Sequence, residues 1–150
     1  MIELLSALLT PVIALTTTYI AVQQWRLERE KWRLAVYDKR FETYRAIVEF
    51  ISLMRAAGDC TEEERIKFFQ TASRNYFLFE ADIQSYVEEI YNRSVEKSYL
   101  EKTILNAPGD SQAAYRGQLA QKAADISRWF GAQFDIAKTR FGAYLKIHQR

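Results

Sequence analysis

The chain has 150 residues, a net charge of +2 and one cysteine, and these bounds exclude several classes at once. A single cysteine rules out an internal disulfide and fits a reducing compartment, and so small a charge does not by itself argue for nucleic acid. With 5 glycines, 2 prolines and no alternating stretch between turn signals, an all-α fold is predicted, with room for one core rather than two.

From Leu4 to Trp25 no side chain is charged, a run of 22 residues. As a helix it would be about 33 Å long, matching the roughly 30 Å hydrocarbon core of a bilayer. Ser6, Thr10, Thr16, Thr17 and Thr18 dilute its hydropathy without erasing the signal. Tyr19, Trp25 and Trp32 suit the membrane–water boundary, and the basic residues Arg26, Arg29, Lys31 and Arg33 follow at once. A cleaved signal peptide would begin with positive charge and end in small residues, whereas here the early charge is Glu3 and Tyr19 to Trp25 is largely bulky. A buried helix of a soluble domain rarely stays charge-free for so long. Residues 1–25 are therefore predicted to be an uncleaved single-pass anchor, and residues 26–150 a helical domain. Positive charge on one side only places the N-terminus outside and the domain in the cytoplasm, at a bacterial inner membrane.

The polar residues of the anchor lie mostly on one line. Glu3, Ser6, Thr10, Ile13, Thr17, Ile20 and Gln24 are spaced 3, 4, 3, 4, 3 and 4 apart, the repeat of a left-handed helix pair. In lipid, small hydroxyl residues on such a line let helices approach and hydrogen-bond across the contact. Homo-oligomerisation through this line is predicted, with a polar pore lined by several copies as the narrower alternative.

The helix is predicted to continue past the anchor to Ala57, because no Gly or Pro intervenes between Pro11 and Gly58. Leu27, Leu34, Phe41 and Val48 recur every seven residues, with Tyr37, Tyr44 and Ile51 on adjacent positions. That pattern is a coiled-coil seam or the core face of a bundle helix, and the aromatic content favours the bundle. Between positions 23 and 45 there are seven basic residues against four acidic ones, an excess suited to anionic headgroups. The lipid bilayer is thus the expected partner, and nucleic acid is not.

Gly58 and Asp59 end this helix, and Thr61-Glu62-Glu63-Glu64 has the form of a capping box opening the next. Ile66, Phe69, Ala72, Tyr76 and Phe79 are predicted to line it, up to a break near Glu80 and Ala81 with Asp82 as the following N-cap. Ile83, Tyr86, Val87, Ile90 and Tyr91 line a helix running to about Leu105. After the loop Asn106-Ala107-Pro108-Gly109-Asp110, a last helix starts at Asp110 or Ser111. Its inward residues are predicted to be Tyr115, Leu119, Ile126, Trp129, Phe130, Phe134, Ile136, Ala137, Phe141 and Tyr144, with Gly131 a candidate bend. The architecture expected is an N-terminal transmembrane helix merging into an antiparallel cytoplasmic bundle.

A search for chemistry returns no phosphate loop, no metal-ligand spacing and no nucleophile with a base beside it. No catalytic residue, cofactor site or metal site is therefore assigned, and a non-enzymatic role is expected. Cys60 has no neighbouring histidine and reads as an incidental thiol; in a cytoplasmic turn it should resist an impermeant maleimide. Arg140 and His148 are similar to the arginine–histidine pair of helical HEPN ribonucleases, which are separated there by four to six residues. Seven residues intervene here, so an RNase is only a further alternative.

The stretch QQWRLEREKWRLAVYDKRFETYRAIVEFI, following a single anchor, resembles a widespread group of small, uncharacterised bacterial membrane proteins. They share a Gln-Trp-Arg exit and a Tyr/Phe-Asp-Lys-Arg-Phe-x-x-Tyr segment, here Tyr37, Asp38, Lys39, Arg40, Phe41 and Tyr44. NYFLFEADIQSYVEEIY and WFGAQFDIAKTRFGAYL also look like that group, so the resemblance covers most of the chain. It implies an anchored helical domain and no particular activity. A second likeness, in architecture alone, is to pore-forming membrane accessory proteins of RNA-targeting CRISPR nucleases, which implies a membrane effector in antiphage defence as an alternative.

Overall fold

The computed structural model describes residues 2–106 and 113–146, with side chains from position 11 onward. Among the described residues there are four α-helices and no strand: α1 (Ile2–Ala57), α2 (Glu62–Ser73), α3 (Ala81–Asn106) and α4 (Ala113–Gly142). A 3-10 turn, Tyr76–Leu78, joins α2 to α3. The chain divides into two compact units, Met1–Val36 and Tyr37–Arg150, and α1 runs from one into the other.

The second unit is an up-and-down bundle. Tyr44 meets Phe141 while Arg55 lies over Phe134, so this part of α1 and α4 run in opposite directions. Phe50 stacks on Phe68 at 4.2 Å between ring centres, fixing α1 against α2, and Phe69 meets Tyr91 between α2 and α3. The most extensive backbone contacts are α3 with α4 and α2 with α3. The buried centre contains Ile47, Ile51, Ile83, Tyr86, Phe130 and Phe141.

Local signals explain the breaks. Gly58 sits at φ +80°, a left-handed conformation that glycine adopts without strain, and it stops α1. At Thr61 both halves of the capping box form: the Glu64 amide donates to the Thr61 hydroxyl, and the Thr61 amide donates to the Glu64 carboxylate.

Several sequence expectations need correction. The helix after Thr61 ends at Ser73, not near Glu80, because the chain tightens into the 3-10 turn that seats Phe79 beside Phe141. Its inner face is Arg65, Phe68 and Ala72, while Ile66 is exposed and Phe69 only half-buried. Asp82 lies inside the first turn of α3, where its carboxylate accepts from the Tyr144 hydroxyl at 2.9 Å. Tyr115 and Ile136 face solvent, and Gly131 leaves α4 unbroken. The starts proposed at Asp110 or Ser111, and the preceding loop, lie outside the described residues.

The seven-residue stripe on α1 divides. Ile51 is buried and Tyr44 packs against the core, as a bundle face requires. Leu27 and Leu34 are exposed like every side chain from Pro11 to Ala35, and Phe41 is exposed because the inward face of the helix there is Thr43, Ile47, Phe50, Ile51 and Met54. Positions 41 and 48 lie roughly a third of a turn or more from the middle of that face at about 100° per residue.

Candidate functional site

Two places could carry function: the exposed helix of the first unit and the buried polar groups of the second. In the first, every described side chain from Pro11 to Ala35 is exposed. Val12, Ile13, Leu15, Ile20 and Trp25 are each more than half exposed, with Trp25 at 60 %. These residues point in several directions around the axis, so no single groove would cover them. Contiguous apolar surface of this kind marks contact with lipid or another protein.

The threonines in that surface have no need of water as a donor partner. Thr16 donates to the Val12 and Ile13 carbonyls, both at 2.9 Å, and Thr18 donates to Ala14 at 2.8 Å. Thr17 donates to the Ile13 and Ala14 carbonyls at 2.8 and 3.0 Å. Gln23 donates to the Tyr19 hydroxyl at 3.1 Å one turn back. A hydroxyl bonded this way has its hydrogen satisfied within its own helix, which makes a polar residue tolerable in an apolar medium.

Of the residues placed on the oligomer line, Ile13, Thr17, Ile20 and Gln24 are all exposed on the helix. The side chains of Glu3, Ser6 and Thr10 lie outside the described residues. Because Thr17 donates within its own helix, a contact along this line relies on close packing rather than on a hydrogen bond from that group. Arg29 lies over the Trp25 ring, 5.5 Å from its centre, one turn along the helix. Arg26, Lys31 and Arg33 are exposed beside it. No helix among the described residues is long and apolar enough to cross a membrane. Leu4 to Thr10, about a third of the charge-free run, precede the described side chains, so the spanning helix expected over residues 4–25 is not made up by the described part alone.

In the second unit, Arg65 is 2 % and Lys97 3 % exposed. Arg65 pairs with Glu62 and donates to the Ser94 hydroxyl at 3.1 Å, with Asp59 a further 3.9 Å from its guanidinium. Lys97 donates to the Gly58 carbonyl and to Glu101. These bonds tie the turn after α1 to the middle of α3. Cys60 lies within the same knot, buried, and burial pushes its thiol up from the ordinary value, away from the thiolate that a nucleophile needs. This knot holds the fold together. Its cations are already matched by carboxylates.

Arg140 packs over the Tyr86 ring at 4.7 Å and donates to the Asp82 carbonyl at 3.2 Å, so its guanidinium is engaged in joining α4 to α3. Burial raises the Tyr86 hydroxyl well above its ordinary range, against the opposing pull of Arg140. His148 lies outside the described residues. Among the described residues, no group of three or more His, Cys, Asp or Glu is placed to hold a metal ion. The groove between α1 and α2, lined by Phe50, Leu53, Lys67 and Phe68 among others, is shallow and open.

The sequence reading missed the Arg65–Lys97 knot, since both residues look like ordinary surface charges in a helical pattern. Their one signal was position: Arg65 falls three residues before Phe68 and seven before Ala72, on the buried side of α2. No protein-family model, curated protein or solved structure matches the chain.

Proposed function

We propose that the chain is a membrane-anchored, non-enzymatic interaction protein that self-associates through its anchor. The observation that carries this reading is the charge-free run to Trp25, which from Pro11 onward exposes apolar side chains all round while Thr16, Thr17 and Thr18 donate to their own backbone. Lipid is the medium that suits both features. The basic residues Arg26, Arg29, Lys31 and Arg33 then lie at the cytoplasmic headgroups, by the positive-inside rule. Residues 37–150 form the domain displayed at the bacterial inner membrane.

The test is carbonate extraction of membranes from cells making the full chain and the Ile13→Lys/Ile20→Lys variant. The native chain should stay with the lipid. Two charges placed mid-run should release or destabilise the variant, each costing roughly 2.5–3.5 kcal/mol at a bilayer centre. Extraction of the native chain by carbonate would end the anchoring reading. Cross-linking in membranes, with Thr10→Leu/Thr17→Leu/Gln24→Leu as the comparison, tests self-association: the variant should lose the dimer or higher bands. A ring of such copies forming a pore in antiphage defence is the second reading, favoured only by the polar line itself.

A further inference from the structure

Part of the seven-residue line on α1 stays uncovered by the bundle. Ile13, Ile20, Leu27 and Leu34 recur every seven residues, all within Met1–Val36, and each is 52–56 % exposed. On a straight helix at about 100° per residue the line drifts by about 20° per repeat, and a left-handed supercoil removes that drift. Lipid gives no reason to keep such a repeat, whereas a second helix of the same period does. On the anchoring reading, Leu27 and Leu34 lie beyond the aromatic boundary at Trp25, where acyl chains no longer cover them.

We infer that Leu27 and Leu34 form the seam of a parallel coiled coil with a second copy of this chain. The flanking charges choose that occupant and its direction. Glu30 and Lys31 stand about 50° to either side of the Leu27–Leu34 line, and both are exposed. A two-fold axis along the helices sets the Glu30 flank of one copy beside the Lys31 flank of the other, and the reverse. An antiparallel pair would bring like flanks together instead. Exposed pairs of this kind add little affinity; their part is to fix direction and partner. Trp25, Arg29 and Trp32 lie about 150–170° round the helix from the leucines, with Arg29 over the Trp25 ring. The side suited to headgroups is therefore not the side that the seam uses. The inference extends the self-association proposed above past the anchor, and it rests on the anchoring reading for its parallel sense.

Cysteine cross-linking of the full chain in native membranes, in a Cys60→Ala background, is the test. With copper phenanthroline, Leu27→Cys should form a disulfide-linked dimer several-fold faster than Trp32→Cys on the far side. Glu30→Lys and Lys31→Glu, each added alone to the Leu27→Cys chain, bring like charges together and should remove most of that dimer. Copies of the two variants made together under different tags regain both Glu–Lys contacts, so their mixed dimer should return to the native level. Both substitutions are at exposed positions, and helicity should not change. Equal cross-linking at positions 27 and 32 overturns the proposal. So do charge variants that cross-link like the native seam, or a mixed dimer no stronger than either variant alone, in favour of lipid or a different protein on this side. Cross-linking is read in whichever carbonate fraction holds the native chain. Release from the membrane thus overturns the anchoring reading, while the charge swap still decides the seam.

Discussion

The polar groups of the two units differ in reach: Ser52, Thr103 and Thr139 of the second also donate one turn back, but that unit adds long-range bonds as well. In Met1–Val36, Thr16, Thr17 and Thr18 donate to carbonyls three or four residues back. In Tyr37–Arg150, Arg40 reaches Tyr144 across 104 positions and Tyr86 reaches the Gln133 carbonyl across 47. Apolar residues divide in the same way, outward along the first stretch of α1 and inward along the second. A helix that must satisfy its polar groups from its own backbone and keeps its apolar groups outside suits lipid; one that buries its apolar face and bonds at long range suits water. On the anchoring reading proposed above, one continuous helix would follow the rules of two solvents, changing over near Val36.

The comparison breaks most readily at the core of the second unit. Phe141 is fully buried between Tyr44 and Phe79, so Phe141→Ala should lower that unit's stability by about 3–5 kcal/mol. Chemical denaturation followed by near-ultraviolet circular dichroism reads this loss. Membrane association should be unchanged, because the proposed anchor is the run to Trp25 and not this core. Loss of both together would mean that the two units are not independent in the way their bonding suggests.

Next in size is the buried knot. Lys97→Met keeps the aliphatic stem and removes the donor, leaving the Gly58 carbonyl without its lysine partner. An acceptor left unpaired in a buried site costs about 1–3 kcal/mol. The Glu101 carboxylate adds less, being about a third exposed and able to turn to water. An unfolding midpoint equal to the native one would show that the long-range bond does not distinguish this unit from the first.

Much of this organisation was legible in the sequence, and the failures have physical causes. Gly58, the Thr61–Glu64 box and the run Ile83, Tyr86, Val87 and Ile90 were readable because short-range chemistry decides them. Phe69 was placed on the core in preference to Phe68, since periodicity gives a spacing and only tertiary packing gives its phase. Arg65 and Lys97 were invisible for the same reason, because a charged residue on a helix looks solvated until a turn closes over it. Cys60 carries a practical correction. It is buried, so its resistance to an impermeant maleimide would not report sidedness, and an exposed position such as Glu80 is the proper probe. The oligomer line was readable as spacing, while the way Thr17 spends its hydrogen required coordinates.

The smallest expected effect concerns a place where the second unit bonds as locally as the first. At the start of α2 the Thr61 hydroxyl accepts from the Glu64 amide at 3.2 Å, and Thr61→Ala should cost about 1 kcal/mol. The Glu64 carboxyl is held below its ordinary value of 4.5, first by the Thr61 amide and then by the Thr61 hydroxyl. A pKa lowered by folding stabilises the native state above the unfolded value, and that contribution fades as pH falls through the folded value. The native chain should therefore lose a small increment of stability on passing from about pH 6 to about pH 3 that Glu64→Gln, which cannot titrate, does not lose at this position. Unfolding midpoints across that range, native against Glu64→Gln, measure the increment. It should be smaller than the effect of Lys97→Met, since both partners of the cap are exposed and water replaces what is removed. If the cap proved to matter as much as the buried lysine, the ranking of long-range over local bonds in this unit would be wrong, and with it the contrast drawn from Thr16, Thr17 and Thr18.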